Sequence, residues 1–264
     1  MDKARVMNNE VKVCIDKEKC IGCGLCKKDC VGFDIDIVDG KACAKGMSCI
    51  KCGHCEAICP NHAITITGLE DTTEEFDEQV RLNPDQLLNA IKTRRTIRNF
   101  TDKEVDQKII DMIFEAGRLA PTGANSQGTK YVVLDKKKKE CEAIAVGLFR
   151  KGIGIGKKLI PQLGSMNISD NFFFKGAPLV IVILGKDAVS ASLAAENMAF
   201  MAEANGLGVL FSGFFTTCVN ISGKLRKTMG ITKKPKAVTT MVIGYPAVKY
   251  HRTIRRKPAN IVKL

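Results

Sequence analysis

A chain of 264 residues with 45% hydrophobic content is long enough for one well-buried domain and a smaller one beside it. Its longest clean apolar run, Ala177 to Leu184, is too short to cross a bilayer, which argues against a membrane protein. The formal net charge is +13, yet aromatic residues are only 6%, Trp is absent and no helix-turn-helix, zinc-finger or RNA-binding pattern is visible, so nucleic acid is not an expected partner.

The charge is unevenly placed. Val219 to Leu264 hold twelve Lys or Arg and no acid, whereas Glu70 to Glu78 hold six acids and no base. A basic face of this kind suits a bound phosphate or an acidic partner. Met1–Glu10 has no apolar core of the signal-peptide type, so the expected compartment is the cytoplasm.

In chain order, "VKVCI" alternates as a short strand and leads into two cysteine runs. The first is Cys20, Cys23, Cys26 and Cys30; the second is Cys49, Cys52, Cys55 and Cys59, followed by Pro60. Both have the spacing C-x-x-C-x-x-C-x-x-x-C. Thiolates are soft ligands, and two-residue gaps let one tight loop present three of them to a single iron–sulfur cubane, the fourth reaching the other cluster. The predicted ligand sets are therefore Cys20, Cys23, Cys26 and Cys59 for one 4Fe–4S cluster, and Cys49, Cys52, Cys55 and Cys30 for the second. A disulfide framework would need a secreted chain, zinc sites usually pair two C-x-x-C units across a longer gap, and unrelated core cysteines would not repeat one spacing twice. The repeat "CIGCGLCKKDC" and "CIKCGHCEAIC" resembles the bacterial-type two-cluster ferredoxins over about residues 11–68, with Val31 where the first run would usually carry Pro. Short strands are expected at "FDIDIVDG" and "AITITG". The acidic stretch 69–83 reads as a linker.

Asn83-Pro84 reads as a cap and first position of a helix with Leu87, Leu88 and Ile91 on its apolar face. A second helix is expected behind a capping box of Thr101 and Glu104, burying Val105, Ile109, Met112, Ile113 and Ala116. "KYVVL" reads as a strand and Lys136 to Arg150 as a helix with a solvated start. "KGIGIGKKLIPQLGSMNISDNFFFKG" reads as a mobile cover, its resemblance to a phosphate loop failing at Lys151 and Lys158. "APLVIVILG" is a buried strand, Asp187 to Asn205 a helix stopped by Gly206, "VLFSGFF" a short strand or loop, Thr217 to Met229 a helix, and "KAVTTMVIGYP" a strand. Cys14, Cys43, Cys141 and Cys218 read as small core residues, and the three histidines have no ligand-like spacing.

Arg94, Arg95, Thr96 and Arg98 place three guanidinium groups and a hydroxyl within five residues, a set suited to phosphate. With the loop Pro121, Thr122, Gly123, Asn125 and Gln127, then "GLGVLFSGFF" and "RKP", this order resembles the nitroreductase family of flavoproteins over roughly residues 84–264. The resemblance implies that Arg94, Arg95, Thr96 and Arg98 hold FMN phosphate, ribityl chain and pyrimidine edge, and that Arg256 grips the phosphate. It implies that the Pro121–Gln127 loop comes from a partner subunit to lie beside the flavin ring, hence a homodimer. Gly206, Gly208, Phe211, Ser212 and Gly213 match the stretch that sets backbone groups near flavin N5. Gly128 replaces the usual Pro, Phe211 a frequent Trp, and 150–175 matches nothing assignable.

The expected architecture is α+β: a ferredoxin-like domain over 1–68, the linker, and a nitroreductase-like domain over 84–264 with a central mixed sheet flanked by helices. The expected function is that of an FMN-dependent oxidoreductase, receiving electrons through its two 4Fe–4S clusters from an external donor (ferredoxin, flavodoxin or an NAD(P)H-linked reductase). It would reduce a small organic molecule by hydride transfer from flavin N5. No side chain stands out as a catalytic acid or base. The rivals are a flavoenzyme of the same fold with another reaction (ene, quinone or flavin reduction, or dehalogenation) and a non-enzymatic iron–sulfur carrier.

Overall fold

The computed structural model describes residues 11–69, 71–75, 80–156, 167–232 and 234–264. They group into two compact units: residues 11–81 together with Ala124–Ser126, and Leu82–Gly123 with Gln127–Leu264. Part of the expected linker, residues 70 and 76–79, lies outside the described residues. Among the described residues no helix is long and apolar enough to cross a membrane.

The first unit is a pair of two-stranded ribbons with two single-turn helices. Strand β1 (Lys12–Ile15) pairs antiparallel with β4 (Ile64–Thr67), and β2 (Ile35–Val38) with β3 (Lys41–Ala44). Helices α1 (Leu25–Asp29) and α2 (His54–Ala57) each follow a glycine, Gly24 and Gly53, in the left-handed region. The small core consists of Cys20, Cys26, Ile35, Ala42, Ala63 and Ile64. Val13, Ile15, Ile37 and the thiols of Cys30, Cys55 and Cys59 pack against it, so cysteine sulfur supplies part of the core of this short segment.

In the second unit α3 spans Pro84–Thr93, with Asn83 Oδ1 accepting from the amides of Asp85 and Gln86. Its apolar residues Leu87, Leu88 and Ile91 stay 40–49% exposed in a single chain. The next helix, α4 (Gln107–Arg118), does not begin at the expected capping box. Thr101 is held extended by its amide on Tyr245 O, its hydroxyl is buried without a partner, and Asp106 caps the helix through Lys108 N. Ile113 is fully buried, but Met112 points outward.

Strand β5 (Lys130–Val133) leads into α5, which runs from Lys138 to Gly156. The "GIGIG" stretch is therefore helical, against expectation: Ile144, Leu148, Phe149 and Ile153 pack on the core, and that burial outweighs the helix cost of the glycines. Residues 157–166 of the expected cover lie outside the described residues. Phe173 and Phe174, in the same segment, are core residues and not part of a cover. Lys138 is likewise not solvated, donating to the carbonyls of Ala177 and Pro178.

Strand β6 (Leu179–Gly185) is buried on both faces. Val180, Val182 and Leu184 pack with α5, and Leu179, Ile181 and Ile183 pack with α4 and α6 (Ala188–Ala204). β7 (Gly208–Phe211), α7 (Gly213–Ile221), α8 (Gly223–Thr228) and β8 (Lys236–Gly244) follow, so the helix expected over Thr217–Met229 is two helices broken at Ser222. The sheet order is β5-β6-β8-β7, and every pairing of these strands is antiparallel. The parallel component of the expected mixed sheet reduces, among the described residues, to one bridge between Thr96 and Val209.

That bridge places the arginine-rich segment. Ile97 N donates to Val209 O at 3.1 Å, and Ala247 N donates to Asn99 O at 2.9 Å, so residues 96–99 lie from the β7 edge to the exit of β8. The approach requires Gly208: a Cβ there would stand 2.3 Å from Ile97 Cγ1 and 2.7 Å from its Cβ. Gly208→Ala is expected to lower stability by about 1–3 kcal/mol, read as a reduced urea midpoint at unchanged slope. An unchanged midpoint would mean that the Ile97 segment is not seated against β7.

Candidate functional site

The two cysteine runs build two separate cavities. One is lined by Cys20, Cys23, Cys26 and Cys59, with Ile37, Ala42, Ala63 and Ile64 among its walls. The other is lined by Cys30, Cys49, Cys52 and Cys55, with Val13, Asp34, Ile35, His54 and Ile66. Each cavity thus takes three thiols from one run and the fourth from the other. Backbone amides aim at the sulfurs: Ala42 N at Cys20 Sγ, Ala63 N at Cys59 Sγ and Asp34 N at Cys30 Sγ, each 3.3 Å, and Lys51 N at Cys49 Sγ, 3.4 Å.

The first loop can close because Gly22 has φ +70° and passes so near Gly40 O that a Cβ would lie 2.0 Å from it. The amides of Ala42 and Gly22, then Lys41 and Lys17, hold the Cys20 thiol below its ordinary pKa. Burial instead pushes Cys26 up and Cys55 up to about 11. Those sulfurs ionise when a bound cation compensates them. No three His, Cys, Asp or Glu side chains converge on a single metal-ion position among the described residues. The thiols surround a volume and do not meet at a point.

Asp34 was not anticipated as a site residue. It is 2% exposed, and its carboxylate accepts from the amides of Gly46 at 3.0 Å and of Met47 and Ser48 at 2.8 Å. The amide of Ser48 first, against burial, and then those of Met47 and Gly46 hold its carboxyl below the usual range. The turn before Cys49 is fixed by this charge. Of the remaining cysteines, Cys141 and Cys218 are buried as expected, whereas Cys14 is exposed and Cys43 half-buried.

In the second unit the segment 94–98 and the end of β7 come together through the Thr96–Val209 bridge. Arg94 closes α3, its guanidinium 3.0 Å from Glu196 and over the Phe200 ring at 5.5 Å. Arg95 folds onto the carbonyls of Arg94 and Lys92, leaving its buried Nε without a partner. Thr96 and Arg98 are exposed. Phe211 is half-buried; Ser212 is buried and bonded through its amide to Thr240 O, and its side chain does not cap α7, so the amides that open this helix at Gly213 have no side-chain acceptor there. An orphaned guanidinium nitrogen, two further arginines and an uncapped helix start form a donor set suited to a phosphate-bearing ligand.

The loop Pro121–Gln127 is strained. Ala124, Asn125 and Gln127 all have positive φ, near 50°, without being glycine. Thr122 Oγ1 accepts from Gln127 N, and Gly123 N donates to Ser190 Oγ. Asn125, which belongs to the first unit, donates through Nδ2 to the carbonyls of Ile50 and Lys51. Arg256 lies in the exposed, irregular segment that ends the chain.

Residues 91–245 match the sequence pattern described as the Nitroreductase family. A provisionally named NADH dehydrogenase/NAD(P)H nitroreductase of Methanothermobacter thermautotrophicus is 24% identical over 173 residues, covering 61% of this chain and 78% of that protein. The iodotyrosine deiodinase of Hydra vulgaris is 22% identical over 209 residues, covering 71% of this chain and 75% of that one. Among solved structures, a nitroreductase with bound FMN from Bacteroides fragilis aligns with a TM-score of 0.54 at 19% identity, over 67% of this chain and all but 1% of that one, which shows a common fold.

A second carboxylate that the sequence did not mark is Glu203, also on α6. Its Oε1 is buried without a partner, and burial pushes its pKa from the ordinary 4.5 up to about 7, with Arg94 opposing and Glu196 adding to the rise. Between those two values the unfolded chain holds fewer protons than the folded one, so stability falls as pH rises through the window. Glu203→Gln should therefore be more stable than the wild type at pH 8 by about 1 kcal/mol, after allowance for solvent screening of a half-buried group. The gap should close at pH 5. Thermal melts at both pH values check this, and a gap independent of pH would contradict it.

Proposed function

This chain belongs to the nitroreductase family of oxidoreductases, and from that footing we propose that it is an FMN-dependent reductase supplied with electrons by two 4Fe–4S clusters of its own. When bound, the clusters carry single electrons and the flavin converts them into the two-electron reduction of a small organic substrate. The observation that carries the iron–sulfur part is the division of eight cysteines into two cavities of four, each completed by a residue from the other run. Cys20, Cys23, Cys26 and Cys59 would hold one cluster; Cys30, Cys49, Cys52 and Cys55 would hold the other. The amide N–H groups aimed at four of the sulfurs stabilise ligands that must stay anionic.

In the second unit Arg94, Arg95, Thr96 and Arg98 would hold the flavin phosphate and ribityl chain, with Arg256 closing on the phosphate. Phe211, Ser212 and Gly213 would line the isoalloxazine edge, with the amide of Gly213 facing it, because that of Ser212 is taken by Thr240 O. The strained loop Pro121–Gln127 of a second copy would cover the ring, making the active form a homodimer. Residues 1–68 act as the electron-input domain and 84–264 as the flavin domain, the acidic stretch 69–83 joining them. No acidic or basic side chain is assigned to proton delivery. The external donor is a low-potential carrier such as ferredoxin or flavodoxin, or an NAD(P)H-linked reductase. The likeness to a deiodinase over 71% of the chain makes reductive dehalogenation the second reaction to assay, beside nitroaromatic reduction.

Cofactor content of anaerobically purified protein tests the proposal. About eight irons, eight sulfides and one FMN per chain are expected. FMN without iron would leave a plain flavoenzyme, and iron without FMN after added flavin would leave an electron carrier. Cys49→Ser should lose about half the iron or more while FMN content stays unchanged. Turnover driven by a reduced low-potential donor should fall at least about tenfold, since one lost link interrupts the supply.

A further inference from the structure

We propose that the two cysteine cavities are electrostatically unequal, Asp34 making the Cys30, Cys49, Cys52 and Cys55 site the harder of the two to reduce. This rests on the iron–sulfur reading above and adds an order of filling to it.

The close amide contacts to sulfur do not separate the two sites: Ala42 N and Ala63 N lie 3.3 Å from sulfurs of the first, Asp34 N and Lys51 N 3.3 and 3.4 Å from sulfurs of the second. Fixed charge does. At the first cavity Lys41 Nζ donates to Cys20 O at 2.6 Å and Lys17 Nζ donates to Ala42 O, the residue whose own amide points at Cys20 Sγ. Two ammonium groups therefore stand one peptide from a ligand sulfur. At the second cavity the wall contains the buried carboxylate of Asp34, which accepts from the amides of Gly46, Met47 and Ser48. The other polar side chain in that wall, His54, is exposed and its Nδ1 lies 3.0 Å from the Asp29 carboxylate.

Adding an electron makes either site more negative by one charge. A cation nearby favours that change, and a carboxylate in a low-dielectric wall opposes it. The first electron from a low-potential one-electron donor accordingly settles at the Cys20, Cys23, Cys26 and Cys59 site, and the second enters the site beside Asp34. Asp34 touches no substrate; it acts through the ligands as a tuning and positioning residue.

The test uses the full-length anaerobic protein and begins with iron and sulfide analysis. Absence of iron would remove the iron–sulfur reading and this inference with it. With iron present, potentiometric titration followed by EPR compares the wild type with Asp34→Asn and Lys41→Gln. Two resolved reduction steps are expected in the wild type. Asp34→Asn should move the lower step upward and leave the upper one in place, and Lys41→Gln should move the upper step downward and leave the lower one. Coincident wild-type steps, or an Asp34→Asn change that leaves the lower step in place or moves the upper one, would overturn the inference while the iron count keeps the parent reading. Should Asp34→Asn lose iron because the turn before Cys49 opens, Lys41→Gln decides: an unmoved upper step overturns the proposal.

Discussion

Backbone has to come closer to its neighbours in this protein than any side chain would allow, and both units depend on it. In the first, Gly22 passes against Gly40 O, and only that approach lets Cys20, Cys23 and Cys26 curl around one volume. In the second, Gly208 lies against Ile97, and only that approach lets the arginine-bearing segment bridge to β7. The penalty for a methyl group at either position is steric and immediate, because the facing atoms are a carbonyl and a branched side chain near its root. Seating these two segments decides which polar groups are left to face a ligand.

What is then left is a set of charges whose environments differ. Asp34 is buried yet ionised because three amides converge on it. Glu203 is half-buried with a buried oxygen that has no such partner, and burial raises its pKa. Arg94 is tied to Glu196, whereas Arg95 keeps a buried nitrogen unpaired. The two carboxyls shift in opposite directions, three amides lowering the pKa of Asp34 and burial raising that of Glu203.

The grouping of the cysteines around two cavities follows their spacing: two-residue gaps put three thiols on one loop, and the three-residue gap sends Cys30 and Cys59 across. The Asn83 cap was equally local. Other features needed tertiary contacts. Thr101 and Glu104 have the spacing of a capping box, but the Thr101 amide is taken by Tyr245 O, so the helix waits for Asp106. "GIGIG" has the composition of a loop, and becomes helix because Phe149 and Ile153 pack against the core. Neither the carboxylate facing Arg94 nor the positive φ of Ala124 has any local sequence signal. The sheet was expected to be mixed because strands and helices alternate, but the return connections between its strands pair them antiparallel.

The central claim is that one chain joins iron–sulfur electron input to flavin chemistry, and rapid mixing of the anaerobic protein with a reduced low-potential one-electron donor tests it most directly. Iron–sulfur absorbance should bleach first and flavin absorbance follow. In a variant whose cysteine cavities hold no iron, flavin reduction by the same donor should slow by at least about tenfold. Flavin reduction at the same rate with and without iron would contradict the account and leave the cysteine-bearing unit without a part in the reaction.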